Sequence, residues 1–179
     1  MQDDGMFEQA MTIDDLTIKQ AKDMMRPKLE DGVTCPCCGQ NAQMYNRPLT
    51  SAMAYALILM YNAPMDNLTE EGYIHIENYF KSIKDLPSSI RGDVPKLRFW
   101  GLIKPWEGNT EDGNPNNGFY KITQLGKYFI ELKVNVPPVA RLYNNKFYGY
   151  KKDLQDISIV DALKKKFNYK ELMQSNLTT

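Results

Sequence analysis

Residues 88–103 read SSIRGDVPKLRFWGLI. Serines at the head and W-G-L-I at the close mark a short helix with an abrupt end. Proline fits a helix only in its first turn, so Pro95 sets the start: Asp93 caps, and the helix runs from Val94 to Trp100. Gly101 can take the left-handed conformation that stops a helix, because it has no Cβ to clash. Leu102 and Ile103 then open a strand. Trp100, in helical step with Leu97, is expected in the core, where large aromatics mostly serve burial.

The elements on either side fit around this helix. Residues 107–118 (EGNTEDGNPNNG) read as a polar loop rich in glycine and asparagine, and residues 119–123 (FYKIT) as a returning strand. Thr123 caps a helix expected over residues 124–134. Upstream, residues 52–61 (AMAYALILMY) are apolar nearly all round, so that helix, capped by Thr50 or Ser51, belongs at the centre of the core. Residues 62–72 read as a loop with a second cap at Thr69, residues 73–76 (YIHI) as a short strand and residues 77–83 as a short helix.

The flanks are simpler. Residues 12–30 are expected to be one helix capped by Thr12, with Ile13, Leu16, Ala21, Met24 and Met25 as its apolar stripe and Pro27 kinking or ending it. Residues 41–49 read as a strand. Residues 139–150 (VARLYNNKFYGY) alternate around Asn144-Asn145, a type I′ hairpin signal. Residues 158–173 read as a helix with a Ser158/Asp161 capping pair. The expected class is α+β. The segments are residues 1–49 (N-terminal helix and cysteine knuckle), 50–136 (core) and 137–179 (hairpin and helix).

Of the 179 residues, 42% are hydrophobic and 25% charged, which is enough for a packed core. The 22 basic and 22 acidic residues cancel, which argues against bulk attraction to nucleic acid or membranes. The charge is nevertheless polarised: residues 1–31 carry eight acidic against four basic side chains, whereas residues 81–104 carry six basic against two acidic. The longest apolar run is about half of the roughly 20 residues a membrane helix needs.

All three cysteines lie in residues 34–40, TCPCCGQ. Cys35 and Cys38 have the spacing that lets two thiolates converge on one zinc ion, and Gly39 permits the tight turn. Cys37 and the single histidine, His75, are further candidate ligands. A carboxylate, or the same turn of a second copy in a dimer, would complete the four that a structural site takes. The other reading is a metal-free turn whose own N–H groups satisfy the sulfurs. An odd, clustered set of cysteines makes no disulfide framework, so a reducing cytoplasm is expected. One histidine, no glycine-rich loop opening a helix and no close carboxylate pair in an apolar setting argue against an enzyme.

Residues 88–103 resemble the recognition-helix segment of winged helix-turn-helix proteins of the MarR type: Leu97, Gly101, Leu102 and Ile103 occupy the L-x-x-x-G-L-I positions. The run FYKIT-Q-LG resembles the strand and L-T-x-x-G segment that follows the wing. The resemblance covers residues 50–134 and implies three packed helices with a β-wing, binding duplex DNA, often as a dimer. Phosphate contacts would then fall to Arg91, Lys96, Arg98, Lys104 and Lys121, the cations of this stretch and of the wing. The departure is Pro95, which leaves a helix short for a major groove. The same fold could instead dock a host or phage protein through the wing and the aromatic hairpin. The chain as a whole, from C-P-C-C-G-Q to the L-Y-N-N-K-F-Y-G-Y hairpin, resembles small uncharacterised proteins of tailed bacteriophages and prophages, which implies the cytoplasm of a bacterial host.

Overall fold

The computed structural model describes residues 16–84, 86, 87, 90, 92–108 and 118–174. Helices and three small sheets make it an α+β protein. It divides into two compact units, one of Met1–Tyr45 with Leu142–Lys146, the other of Asn46–Arg141 with Phe147–Thr179. None of the described helices is long and apolar enough to cross a membrane.

The first unit opens with α1, Ile18–Met25. Its cap is Thr17: the hydroxyl accepts the Gln20 N–H at 3.3 Å, while Gln20 Oε1 accepts the Thr17 N–H at 2.9 Å. A helix from Thr12 was expected. This reciprocal pair at Thr17 and Gln20 starts it later, and Thr12 lies outside the described residues. Pro27 sits in a 3-10 turn, Arg26–Lys28, that follows the last α-helical residue. Strands β1 (Val33–Thr34) and β2 (Asn41–Ala42) then pair antiparallel, Val33 opposite Ala42, and present residues 35–40 as their connecting turn.

The second unit is built on α2, Ser51–Tyr61, capped by the Thr50 hydroxyl. Met53, Ala54, Ala56, Leu57, Ile58, Leu59 and Met60 are all buried, so this helix is the axis of the core, as its uniformly apolar sequence demands. Each of the larger side chains contributes about 1.5–3 kcal/mol by leaving water. Strand β4 (Ile74–His75) leads directly into α3, Ile76–Ser82. The cap of α3 is His75, whose Nδ1 accepts the Asn78 N–H at 3.2 Å. Tyr79 of α3 donates to the Leu59 carbonyl of α2, and burial pushes its phenol up to about 12.

Residues 94–100 are helical, but as a 3-10 helix. Three residues per turn stack positions i and i+3. Val94, Leu97 and Trp100 therefore fall in one row, and all three are buried. Trp100 Nε1 donates to the Pro137 carbonyl at 2.6 Å, which settles its one polar atom. Gly101 stops the helix at φ +67°.

Strands β5 (Ile103–Pro105) and β6 (Phe119–Ile122) follow, and the sheet order is β4-β6-β5, antiparallel throughout. Ile103 faces Ile122 on the core side. Thr123 caps α4, Gln124–Ile130, through the Gly126 N–H at 3.0 Å. This helix was expected to reach residue 134. It ends sooner because Leu132 turns left-handed, at φ 59°, and the Lys133 N–H closes on the Tyr128 carbonyl.

The same unit holds most of a second sheet, β3 (Tyr45–Pro48), β7 (Val139–Tyr143) and β8 (Lys146–Tyr150), in the order β3-β7-β8. Asn144 and Asn145 both have positive φ, 48° and 56°, as a type I′ turn requires. Ser158 and Asp161 form the expected capping box, but the helix they start, α5, covers only Ile159–Leu163. Lys164 has positive φ (56°) and starts a 3-10 turn, Lys164–Lys166, and a further helix, α6 (Tyr169–Gln174), begins after Asn168. The Asn168 side chain accepts the Lys170 N–H at 3.0 Å. The break lets Phe167 stack flat on Tyr55 of α2, ring centroids 4.4 Å apart.

Candidate nucleic-acid interface and cysteine knuckle

Four of the five cations expected at phosphates are described; Arg91 lies outside the described residues. The 3-10 helix separates two of them, because residues two apart stand in different rows. Lys96 donates to Asp93 Oδ1, an oxygen that Arg47 also approaches at 4.0 Å. Arg98 reaches back to the Pro95 carbonyl at 3.4 Å and lies over the Phe99 ring, 4.7 Å from its centroid. Both side chains are half-buried.

The ribbon brings the other two together. Lys104 of β5 stands directly opposite Lys121 of β6, on the face away from Ile103 and Ile122. Lys104 is exposed. Lys121 donates to the Glu71 carbonyl, and its ammonium lies 5.5 Å from the Tyr73 ring centroid. The two lysines are cross-strand partners, and the Lys121 ammonium is turned to the Glu71 carbonyl and the Tyr73 ring. Sequence reading missed Tyr73 and Glu71 as the supports of Lys121. The signal was the short Y-I-H-I strand, whose pairing partner is set only by the sheet.

Tyr73 also lines a small cavity of about 180 Å3 with Thr69, Glu71, Trp106 and Phe119. Trp106 is half-buried there, its backbone N–H bonded to the Phe119 carbonyl at 3.0 Å. The indole leans on Gly108, where a Cβ would collide with the ring. His75, a candidate zinc ligand by sequence, instead caps α3 and sets its ring edge-on to Phe119, centroids 4.9 Å apart. The ribbon end thus offers two cross-strand lysines next to aromatic rings, a combination suited to phosphate with a planar or apolar group beside it.

The first unit holds the cysteines. The Cys35 N–H donates to the Gln40 carbonyl at 2.8 Å and the Gly39 N–H to the Cys35 carbonyl at 2.9 Å, with Gly39 at φ +72°. Inside this turn the backbone N–H groups of Cys37 and Cys38 donate to the Cys35 sulfur, which holds its thiol below the usual range. Burial and the neighbouring Cys35 sulfur push the Cys37 thiol up. Cys35 and Cys38, but not Cys37, line a cavity of about 340 Å3 with Gln40, Asn41, Gln43 and Tyr143 among its walls. Among the described residues no three His, Cys, Asp or Glu side chains converge to hold a metal ion.

Comparison with known proteins found no matching family model, no matching curated protein and no matching solved structure.

Proposed function

We propose that residues 50–134 are a winged helix-turn-helix unit and that the protein binds duplex DNA, as a dimer, in the cytoplasm of a bacterium carrying the phage that encodes it. The observation that carries the reading is the ribbon: β5 and β6, which follow α2, α3 and the 3-10 helix and pair in the β4-β6-β5 sheet, set Lys104 opposite Lys121 beside Tyr73 and Trp106. Phosphate is taken by the exposed Lys104 with Lys121 across the ladder from it, and an aromatic face next to them takes a sugar or base. The 3-10 helix serves mainly as scaffold, since its apolar row is buried and Lys96 is committed to Asp93. The unit that contains the ribbon has 17 basic against 14 acidic residues, so attraction is local to this edge.

Fluorescence anisotropy on a labelled duplex at low salt tests it. Each engaged lysine adds a slope of about −0.9 in log affinity against log salt. Lys104→Ala should flatten that slope by about 1, and Lys104→Glu with Lys121→Glu should remove binding. Wild-type protein without salt-dependent binding to duplex ends the reading.

A second reading, docking of a host or phage protein, is favoured by the Lys96–Asp93–Arg47 cluster, which uses up charge that DNA would need. In that case the Trp106 cavity receives an apolar side chain. Trp106→Ala should then abolish stoichiometric capture of the partner, while wild-type protein shows no affinity for duplex.

A further inference from the structure

Cys35 and Cys38 have the two-thiol spacing of half a tetrathiolate site. A thiolate centre of four sulfurs around one divalent ion carries two net negative charges, and N–H donors to the sulfurs are what make that charge tolerable in a protein. The turn is fixed by its own backbone, the Cys35 N–H on the Gln40 carbonyl at 2.8 Å and the Gly39 N–H on the Cys35 carbonyl at 2.9 Å. Gly39, left-handed, folds the chain so that Cys38 returns toward Cys35, and these two open on one cavity while Cys37 does not. The turn is reachable from outside, since Cys38 is exposed and Cys35 partly so.

The remaining sulfur ligands cannot come from the same chain. It has three cysteines in all, and the single histidine is committed to capping α3 and to Phe119. A two-fold axis through the ion solves this without any further residue type, because each copy contributes the same pair.

We propose that Cys35 and Cys38 of two copies clasp one zinc ion, forming a four-thiolate centre across a two-fold axis. On binding, four thiols release four protons to solvent and four Zn–S bonds form; nothing is oxidised or reduced. Cys37 stays outside the centre, as it lies outside the cavity that Cys35 and Cys38 line. The inference rests on the cysteine unit alone and stands or falls apart from the DNA-binding reading.

Reduced full-length protein loaded with zinc and freed of excess ion should retain one zinc per two chains. It should sediment as a dimer that a strong chelator dissociates. Cobalt in place of zinc should give the intense visible bands of a tetrahedral tetrathiolate. Cys35→Ser and Cys38→Ser should each abolish retention, and Cys37→Ser should leave it intact. In wild-type protein, which needs no variant to fold, zinc should shield Cys35 and Cys38 from alkylation and leave Cys37 reactive. One zinc per monomeric chain, no retained zinc, a cobalt spectrum with oxygen ligands, or equal protection of all three thiols would each overturn the clasp.

Discussion

The two compact units are held together by different means. The larger one surrounds α2 with Phe80, Trp100, Phe129, Ile130 and Leu163, and polar ends of aromatics find carbonyls: Tyr79 on Leu59, Trp100 on Pro137, Tyr150 on Phe99. The smaller one, among its described residues, buries Ala21, Leu29, Ala42 and Leu142. Its order comes from backbone turns, a capping box and a two-residue ladder. Units of that size with so little apolar burial usually rely on a staple such as a metal or disulfide. The contrast teaches that, among the described residues, the cysteines stand where the least apolar surface is buried.

Hydrogen exchange tests the contrast most strongly. Amides of α2 should exchange only through global unfolding, and those of β1 and β2 many-fold faster by local opening. Equal protection factors in the two units would break the comparison. Next in size is Trp100→Ala, which should cost about 3–5 kcal/mol in denaturant melts, since the indole is 2% exposed and bonded to Pro137. Gly126→Ala should cost about 1–3 kcal/mol, because its Cβ would overlap the Leu102 carbonyl oxygen, a backbone atom that cannot step aside. A melting temperature unchanged from wild type would show that β5 and α4 do not pack as closely as described.

The smallest effect is a pH dependence. Hydrogen bonds from the Ser158 hydroxyl and N–H hold the Asp161 carboxyl below its usual range. A lowered folded-state pKa stabilises above the unfolded value, and that stability is lost as pH falls through the folded value. Asp161→Asn should therefore narrow the stability gap between neutral and acid pH. An unchanged pH profile would count against the capping box as a contributor.

Local chemistry was the legible part of the chain. Thr50, Gly101, Thr123, Asn144-Asn145 and Ser158 each announce a boundary because the residue itself satisfies or permits the backbone there. The break at Phe167–Asn168 was hidden by three lysines, good helix formers that stay helical but tighten to a 3-10 turn before Phe167 stacks on Tyr55. Asn168, three before Glu171, was the available clue to a new helix start. The 3-10 character of residues 94–100 was written in the i, i+3 spacing of Val94, Leu97 and Trp100, which an α-helical reading absorbs without complaint. The pairing of β3 with β7 depends on residues far apart in sequence and left no local mark. At the site, the lysines were legible as types; that Lys104 and Lys121 face each other is a matter of register.

The chain's two indoles occupy very different settings. Trp100 sits dry in the middle of the larger unit, whereas Trp106 half-emerges at the ribbon end beside Tyr73 and Phe119. The protein thereby carries its own pair of optical reporters, one sensing whether the interior is intact and the other whether anything has settled on the ribbon.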